Sequence, residues 1–190
     1  MNAQTQIVAG SMGAIAKQTG KSIAETFISA EVVIIVDTSG SMSATDSRGG
    51  KSRYDVACEE LAQLQAHLPG KVAVISFSYQ VIFCPSGVPI YFGGGTDMAQ
   101  ALQFAKIAEI PGMRFILISD GQPDEPSPTL SIAKQYKNKI DVIYVGPESD
   151  PGGRVFLEQL AAATGGQAMT VDCAKELRQG ITLLLGQGQP

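Results

Sequence analysis

The sequence predicts an α/β domain of three layers, with a doubly wound, mostly parallel β-sheet between two layers of helices. Several apolar, β-branched runs are continuous rather than alternating, which indicates strands that are buried on both faces. The segments between them repeat apolar residues at steps of three and four, which indicates amphipathic helices. Strands that alternate with helices imply right-handed crossovers and a sheet that is covered on both faces.

Four apolar runs predict the parallel strands. They are Val32–Val36, Val72–Phe77, Phe115–Ile118 and Val142–Val145. A fifth run, Val81–Phe83, follows the second so closely that only a hairpin can join them, so it predicts one antiparallel edge strand. A weaker sixth strand is expected near residues 167–171.

Helical periodicity fills the connections between these strands. The predicted helices are Tyr54–Leu68, Met98–Ala105, Leu130–Tyr136, Phe156–Ala163 and a last one over about 172–185. The pattern is weaker in the first 30 residues, where Gly10, Gly13 and Gly20 lower the helix propensity. We expect residues 1–20 to be poorly ordered and residues 21–29 to form a short helix that packs on the sheet.

A chain of 190 residues is long enough for one domain with a substantial core. We predict an N-terminal extension over residues 1–30, which is partly flexible and includes the short lead-in helix. The main domain is predicted over residues 31–185, and a flexible tail over residues 186–190.

Composition excludes several classes of function. The net charge is −4 and the 14 Lys and Arg residues are scattered, which argues against binding to nucleic acid. No run approaches the roughly 20 apolar residues of a membrane span. The N-terminus lacks the basic residues of a secretory signal, and three widely spaced cysteines fit reduced thiols. We therefore expect a cytoplasmic protein, whose oligomeric state the sequence does not define.

Oxygen-bearing side chains follow two of the predicted strands. Asp37, Ser39 and Ser41 lie in "DTSGS" directly after the first strand, and Asp120 lies in "SDG" after the strand that contains "FILI". The carboxyl ends of parallel strands share one edge of the sheet, and ligands bind there where the strand order reverses. Two carboxylates that meet at this point are costly unless a cation joins them. The glycine-rich "GGGTD" adds Thr96 at the start of the Met98 helix.

These five oxygen donors come from three loops and include neither sulfur nor imidazole. Such a set suits a hard cation, most simply Mg²⁺, which prefers six oxygens at roughly 2.1 Å. Each motif alone has a plainer explanation. Asp and Ser favour turns, Thr96 can cap a helix, and Asp97 can complement the helix dipole. Their joint occurrence at one edge of the sheet favours a metal site.

The motifs "DTSGSM", "GGGTD" and "SDG", in this order, resemble the metal-ion-dependent adhesion site of von Willebrand factor A domains. The resemblance covers about residues 31–185 and implies a Rossmann-like fold. It also implies that Ser39, Ser41 and Thr96 contact the metal directly, while Asp37 and Asp120 hold coordinated waters.

In that family the metal is commonly completed by an Asp or Glu of a protein partner. The resemblance therefore implies a module that binds an acidic residue of a partner through Mg²⁺, or through Mn²⁺ or Ca²⁺. Without a signal sequence, the chain is most similar to the intracellular prokaryotic or phage-type members.

Enzymatic readings lack necessary residues. An aspartyl phosphatase needs a second carboxylate two residues after its nucleophile, and Ser39 stands at that position. A serine hydrolase needs a histidine beside its nucleophile, but His67 is the only histidine and lies about 20 Å along the predicted helix. The stretches "TGKS" and "GGKS" have Ile15 and Thr45 where a phosphate-binding loop requires glycine. We therefore expect a binding protein and not an enzyme.

The surface that selects the partner is expected around the metal site. Candidate rim residues are Met42, Arg48, Gln122, Asp124, Glu148 and Asp150. Two other functions remain open at this stage. The chain could be a structural or assembly subunit in which the metal is incidental, or an accessory component of an ATP-driven complex whose ATPase is another chain.

Overall fold

The computed structural model describes residues 7–147, 151–171 and 176–186. They contain a six-stranded sheet with the strand order β3-β2-β1-β4-β5-β6. The strands are β1 (Val32–Asp37), β2 (Val72–Phe77), β3 (Val81–Phe83), β4 (Arg114–Ser119), β5 (Ile140–Tyr144) and β6 (Ala168–Thr170). β3 pairs antiparallel with β2, and the other pairs are parallel. The predicted fold class and the predicted edge strand are confirmed.

Seven α-helices lie within the described residues. They are α1 (Met12–Thr19), α2 (Ile23–Phe27), α3 (Arg53–His67), α4 (Met98–Ala105), α5 (Pro126–Ala133), α6 (Pro151–Thr164) and α7 (Leu177–Gly186). Ser52 caps α3 by accepting a hydrogen bond from the Asp55 N–H group. Pro126 stands at the start of α5, where its missing N–H group is not needed.

The two faces of the sheet are covered by different helices. On one face, α4, α5 and α6 pack against one set of strand residues, such as Val33 and Ile35 of β1. On the other face, α3 and α7 pack against the alternate set, such as Val32 and Ile34. All six residues of β1 are buried, as expected of a central parallel strand.

The strand order reverses next to β1. The chain passes from β1 to β2 on one side and later returns to place β4 on the other side. Asp37 is the last residue of β1, and Ser119 is the last residue of β4. The point predicted for the ligand site therefore lies between the carboxyl ends of β1 and β4.

The N-terminal region differs from the prediction. Residues 12–19 were expected to be poorly ordered, but they form α1, which Ser11 caps at its start. The segment is held by hydrogen bonds from the Gly13 N–H group to the Pro85 carbonyl at 2.7 Å and from the Gly70 N–H group to the Gly10 carbonyl at 2.8 Å. The helix α2 falls where the lead-in helix was predicted.

Two of the glycines that predicted poor order are required by the packing of this segment. A Cβ atom on Gly10 would lie 2.0 Å from the Gln65 carbonyl oxygen, and one on Gly13 would lie 2.8 Å from the Pro85 carbonyl oxygen. Both distances are shorter than side-chain carbon atoms tolerate, so the close approach of this segment requires glycine.

Parts of three predictions fall outside the described residues: the start of the last helix at 172–175, the rim residues Glu148 and Asp150, and residues 187–190 of the tail. Cys173 also lies outside them, while Cys58 and Cys84 are free thiols. None of the helices in the described part of the chain has both the length and the apolar character of a membrane span.

The packing of α1 can be tested at Met12, which is 2% exposed and belongs to the core on the α4 face. Met12→Ala should lower the free energy of unfolding by about 2–5 kcal/mol, because it leaves a cavity in that core. The control Lys17→Ala, at an exposed position of the same helix, should change it by less than about 0.5 kcal/mol. Urea denaturation measures both, and equal small effects would show that α1 is not part of the core.

Candidate metal site

The turn after β1 is built around the carboxylate of Asp37. This side chain is fully buried, and its two oxygens accept hydrogen bonds from the Ser39 N–H group at 2.8 Å and the Ser119 hydroxyl at 2.6 Å. The chain then forms a short 3₁₀ turn over Gly40–Ser43. The Asp37 carboxylate thus fixes the direction in which the turn leaves the sheet and joins it to the end of β4.

Asp120 approaches the same turn from the end of β4. Its Oδ1 atom accepts a hydrogen bond from the Ser41 hydroxyl at 2.7 Å, and the hydroxyl oxygens of Ser41 and Ser39 are 3.1 Å apart. The structure therefore brings together four of the five predicted ligand residues: Asp37, Ser39, Ser41 and Asp120.

The Thr96 loop is attached to this turn through the backbone. The Gly40 N–H group donates to the Gly94 carbonyl at 3.0 Å, and the Gly93 N–H group donates to the Thr38 carbonyl at 2.9 Å. These bonds place the fifth predicted residue, Thr96, in a loop beside the serine turn. Its hydroxyl group forms no hydrogen bond with the described residues.

The helix-cap explanation of Thr96 is wrong. Asp97 caps α4, because its carboxylate accepts a hydrogen bond from the Gln100 N–H group at 2.9 Å. The Thr96 backbone is held by Asp124, whose carboxylate accepts from the Thr96 N–H group at 2.9 Å and whose N–H group donates to the Thr96 carbonyl at 3.0 Å. Thr96 is thus fixed in place while its side chain is left unused by the helix.

A buried arginine lies behind Asp120. Arg53, the first residue of α3, donates from Nη1 to Asp120 Oδ2 at 2.6 Å, and its Nε and Nη2 atoms donate to the carboxylate of Asp46. Both oxygens of Asp120 are therefore engaged, one by Ser41 and the other by Arg53.

Burial controls the protonation of Asp37. Loss of solvent raises the pKa of Asp37 to about 6, against hydrogen bonds from Ser119 and Ser39 that lower it, and the nearby charge of Asp120 raises it further. A positive charge beside the Asp37 carboxylate would favour its ionised form and lower its pKa again.

The hydroxyl geometry fits an octahedral cation. Two adjacent ligands at roughly 2.1 Å from Mg²⁺ are about 3.0 Å apart, and the hydroxyl oxygens of Ser39 and Ser41 are separated by 3.1 Å. Because Ser41 donates its proton to Asp120, lone pairs of its oxygen remain for a metal. Among the described residues, no group of three or more His, Cys, Asp and Glu side chains could hold a metal ion. A site here would therefore depend on hydroxyl ligands supported by two carboxylates.

Several important residues were missed or misplaced by the sequence analysis. Ser119 and Arg53 were not singled out, although the first directly precedes Asp120 and the second follows the serine turn in the chain. Met42 was expected on the rim, but it is fully buried in the core on the α3 face because the 3₁₀ turn points it inward. Arg48 forms ion pairs with Glu59 and Glu60 of α3.

The predicted position of His67 at a helix end is confirmed. It is the last residue of α3, and its Nδ1 atom lies 2.7 Å from the Gln63 carbonyl oxygen. His67 also lines a cavity of about 1050 Å³ between α3 and α7, together with Lys71 and Arg178. None of the five predicted ligand residues lines this cavity, so it is separate from the serine turn.

Comparison with solved structures identifies the fold as that of a von Willebrand factor A domain, as the resemblance predicted. A von Willebrand factor type A protein from Catenulispora acidiphila matches over 83% of this chain and 43% of its own length, with 18% identity and a TM-score of 0.56. Manganese-loaded Plasmodium vivax TRAP protein matches over 84% and 72%, with 14% identity and a TM-score of 0.57.

Proximal thread matrix protein 1 from the mussel byssus matches over 83% of this chain and 45% of its own length, with 16% identity and a TM-score of 0.59. The chain thus spans less than half the length of two of these proteins. Neither models of known protein families nor curated protein sequences match the sequence. At these identities the similarity establishes the fold.

The buried Asp37 predicts a pH effect on stability. Its ordinary pKa is 3.8 and its folded pKa is about 6, so between these values the folded chain keeps a proton that the unfolded chain has lost. The contribution of Asp37 is therefore most favourable below about pH 4 and is lost as the pH rises to about 6, a change on the order of 3 kcal/mol. Asp37→Asn should remove this change.

The measurement is the free energy of unfolding by urea from pH 4 to pH 7, in the presence of a chelator. The difference between Asp37→Asn and the wild type should shift in favour of the variant across this range. Parallel pH curves for the two proteins would contradict the assignment of the raised pKa.

Proposed function

We propose that this chain is a divalent-cation-dependent protein-binding module, and that an Asp or Glu of a protein partner completes the coordination of the cation. The observation that carries the proposal is the pair of hydroxyl oxygens of Ser39 and Ser41, which lie 3.1 Å apart above two carboxylates. Ser39, Ser41 and Thr96 would hold the cation directly. Asp37 and Asp120 would not contact the cation, but would orient Ser39 and Ser41 by accepting their hydrogen bonds.

The arrangement of charge favours recognition of an acidic group. When bound, the cation would supply a Lewis-acidic centre for one outside carboxylate. The three direct ligands are neutral, and both carboxylates already accept hydrogen bonds from protein donors, so they neutralise the cation only in part. The manganese-loaded TRAP protein, which has the same fold, supports a divalent cation here. We favour Mg²⁺, with Mn²⁺ and Ca²⁺ as alternatives.

Binding is favoured over catalysis because no histidine lies beside the two serine hydroxyls. The only histidine of the chain, His67, lies at the far end of α3, whose first residue reaches Asp120. The 14 intervening steps of the helix correspond to about 20 Å. No imidazole is therefore within reach of the Ser39 or Ser41 hydroxyl to activate it as a nucleophile.

Isothermal titration with Mn²⁺ and Mg²⁺ tests the proposal. The wild type should bind one equivalent, and the double variant Ser39→Ala with Ser41→Ala should bind at least about tenfold more weakly, because two direct ligands are lost. Ser43→Ala is the matched control, since the Ser43 hydroxyl donates to the Gly40 carbonyl within the same turn. It should bind as the wild type does. Absence of binding at millimolar metal, or equal binding by the double variant, would refute the site.

The role of the cation in recognition needs a second measurement. Partners captured by the wild type in Mg²⁺ should be lost with EDTA and lost with the double serine variant. Partners retained equally in every condition would favour a structural or assembly role, or an accessory role in a larger complex, with the metal incidental.

A further inference from the structure

Arg53 forms a buried ion pair with one of the two carboxylates of the candidate site. Its side chain is 8% exposed, that of Asp120 is fully buried, and the two are joined at 2.6 Å. An isolated charge at this depth would be costly, so each group depends on the other. The pair does not follow from the five-residue pattern that predicted the site.

Asp46 fixes the orientation of the arginine. The Nε and Nη2 atoms of Arg53 both donate to the Asp46 carboxylate, which leaves Nη1 directed at Asp120. Such two-point contact restricts the guanidinium plane. The side chain of Asp46 is 38% exposed, so solvent screens its charge more than that of Asp120. The buried end of the arrangement is therefore the ion pair at the site.

The ion pair changes the charge that a cation would meet. Asp37 and Asp120 contribute two negative charges, and Arg53, which is paired with Asp120, contributes one positive charge. The other oxygen of Asp120 accepts the hydrogen bond of the Ser41 hydroxyl. Counting only the three buried side chains and not the more exposed Asp46, a divalent cation would then leave the site with one net positive charge instead of none.

We infer that Arg53 is the built-in counter-charge of the site, an inference that rests on the proposed cation binding. It holds Asp120 and the Ser41 hydroxyl in position when no cation is bound. It also keeps the affinity for the cation alone low and leaves positive charge for the carboxylate of a partner. Arg53 is thus a positioning and affinity-setting residue, which does not itself contact the cation.

Charge and geometry can be separated with two variants. Arg53→Gln removes the charge and should raise the affinity for Mn²⁺ at least tenfold, because a nearby positive charge no longer opposes the cation. Arg53→Lys keeps the charge without the two-point contact to Asp46 and should bind within about threefold of the wild type. Titration calorimetry of the full chain at pH 7.5 measures both.

A metal-free readout accompanies the titration. Without Mn²⁺, Arg53→Gln should unfold at a lower urea concentration than the wild type, because Asp120 is left buried without its partner. Saturating Mn²⁺ should raise its unfolding midpoint more than it raises that of the wild type. Equal shifts in the two proteins would contradict a counter-charge role.

Asp46→Asn gives an independent test should Arg53→Gln not fold without metal. This substitution removes the negative charge that Asp46 places beside Arg53. The positive charge of Arg53 then opposes the cation more strongly, so Mn²⁺ binding should weaken several-fold. Asp55→Asn is the matched control, because Asp55 is exposed on the first turn of α3 and interacts with Ser52 rather than with Arg53. Equal effects of the two substitutions would overturn the inference.

The outcomes distinguish this inference from the proposed function. Wild-type binding together with equal or weaker binding by Arg53→Gln would refute the counter-charge and leave the cation site standing. Wild-type binding together with binding at least about tenfold tighter by Arg53→Gln would support the counter-charge. Absence of binding by both proteins would refute the cation site and the counter-charge together.

Discussion

Two buried carboxylates at the ends of neighbouring parallel strands are the constraint on which the rest of the site depends. Asp37 and Asp120 end up close together because β1 and β4 pair in parallel at the reversal of strand order. Like charges at such a place must be compensated. The surrounding hydroxyl groups, N–H groups and one guanidinium group provide this compensation, and their positions define the loops.

The compensation has a chemical consequence. Every oxygen of the two carboxylates accepts a hydrogen bond from the protein, so the oxygens left for a cation are the hydroxyls of the buried Ser39 and the exposed Ser41. Neutral oxygens over a negatively charged base suit a cation that retains the ability to bind a further anion. Fold, charge and surface chemistry thus support the proposed recognition of an acidic group.

Much of the fold and part of the site could be predicted from the sequence for a simple physical reason. A strand buried on both faces must be apolar throughout, so β1, β2, β4 and β5 are visible as uninterrupted runs. Parallel strands then place their carboxyl ends on one edge of the sheet, so the sequence alone predicts that "DTSGS" and "SDG" lie at the same edge. The sequence also predicted the hairpin to β3 from its short connection.

The features that could not be predicted depend on contacts between residues that are far apart in the sequence. Arg53 belongs to a helix whose pattern is otherwise amphipathic, and nothing in its spacing shows that its side chain turns back to Asp120. Gly10 and Gly13 lower the helix propensity of the first 30 residues, and local propensity does not reveal that other backbone segments approach them closely. Met42 stands among polar residues in the sequence but is fully buried, because the 3₁₀ turn directs its side chain into the core.

Anomalous diffraction from crystals of the full chain soaked in Mn²⁺ would locate the cation directly. We predict one peak at the carboxyl ends of β1 and β4, with the hydroxyl oxygens of Ser39 and Ser41 in the first coordination shell and Arg53 still paired with Asp120. A peak elsewhere, or none at this turn at millimolar Mn²⁺, would contradict the assignment of the serine turn as a metal site.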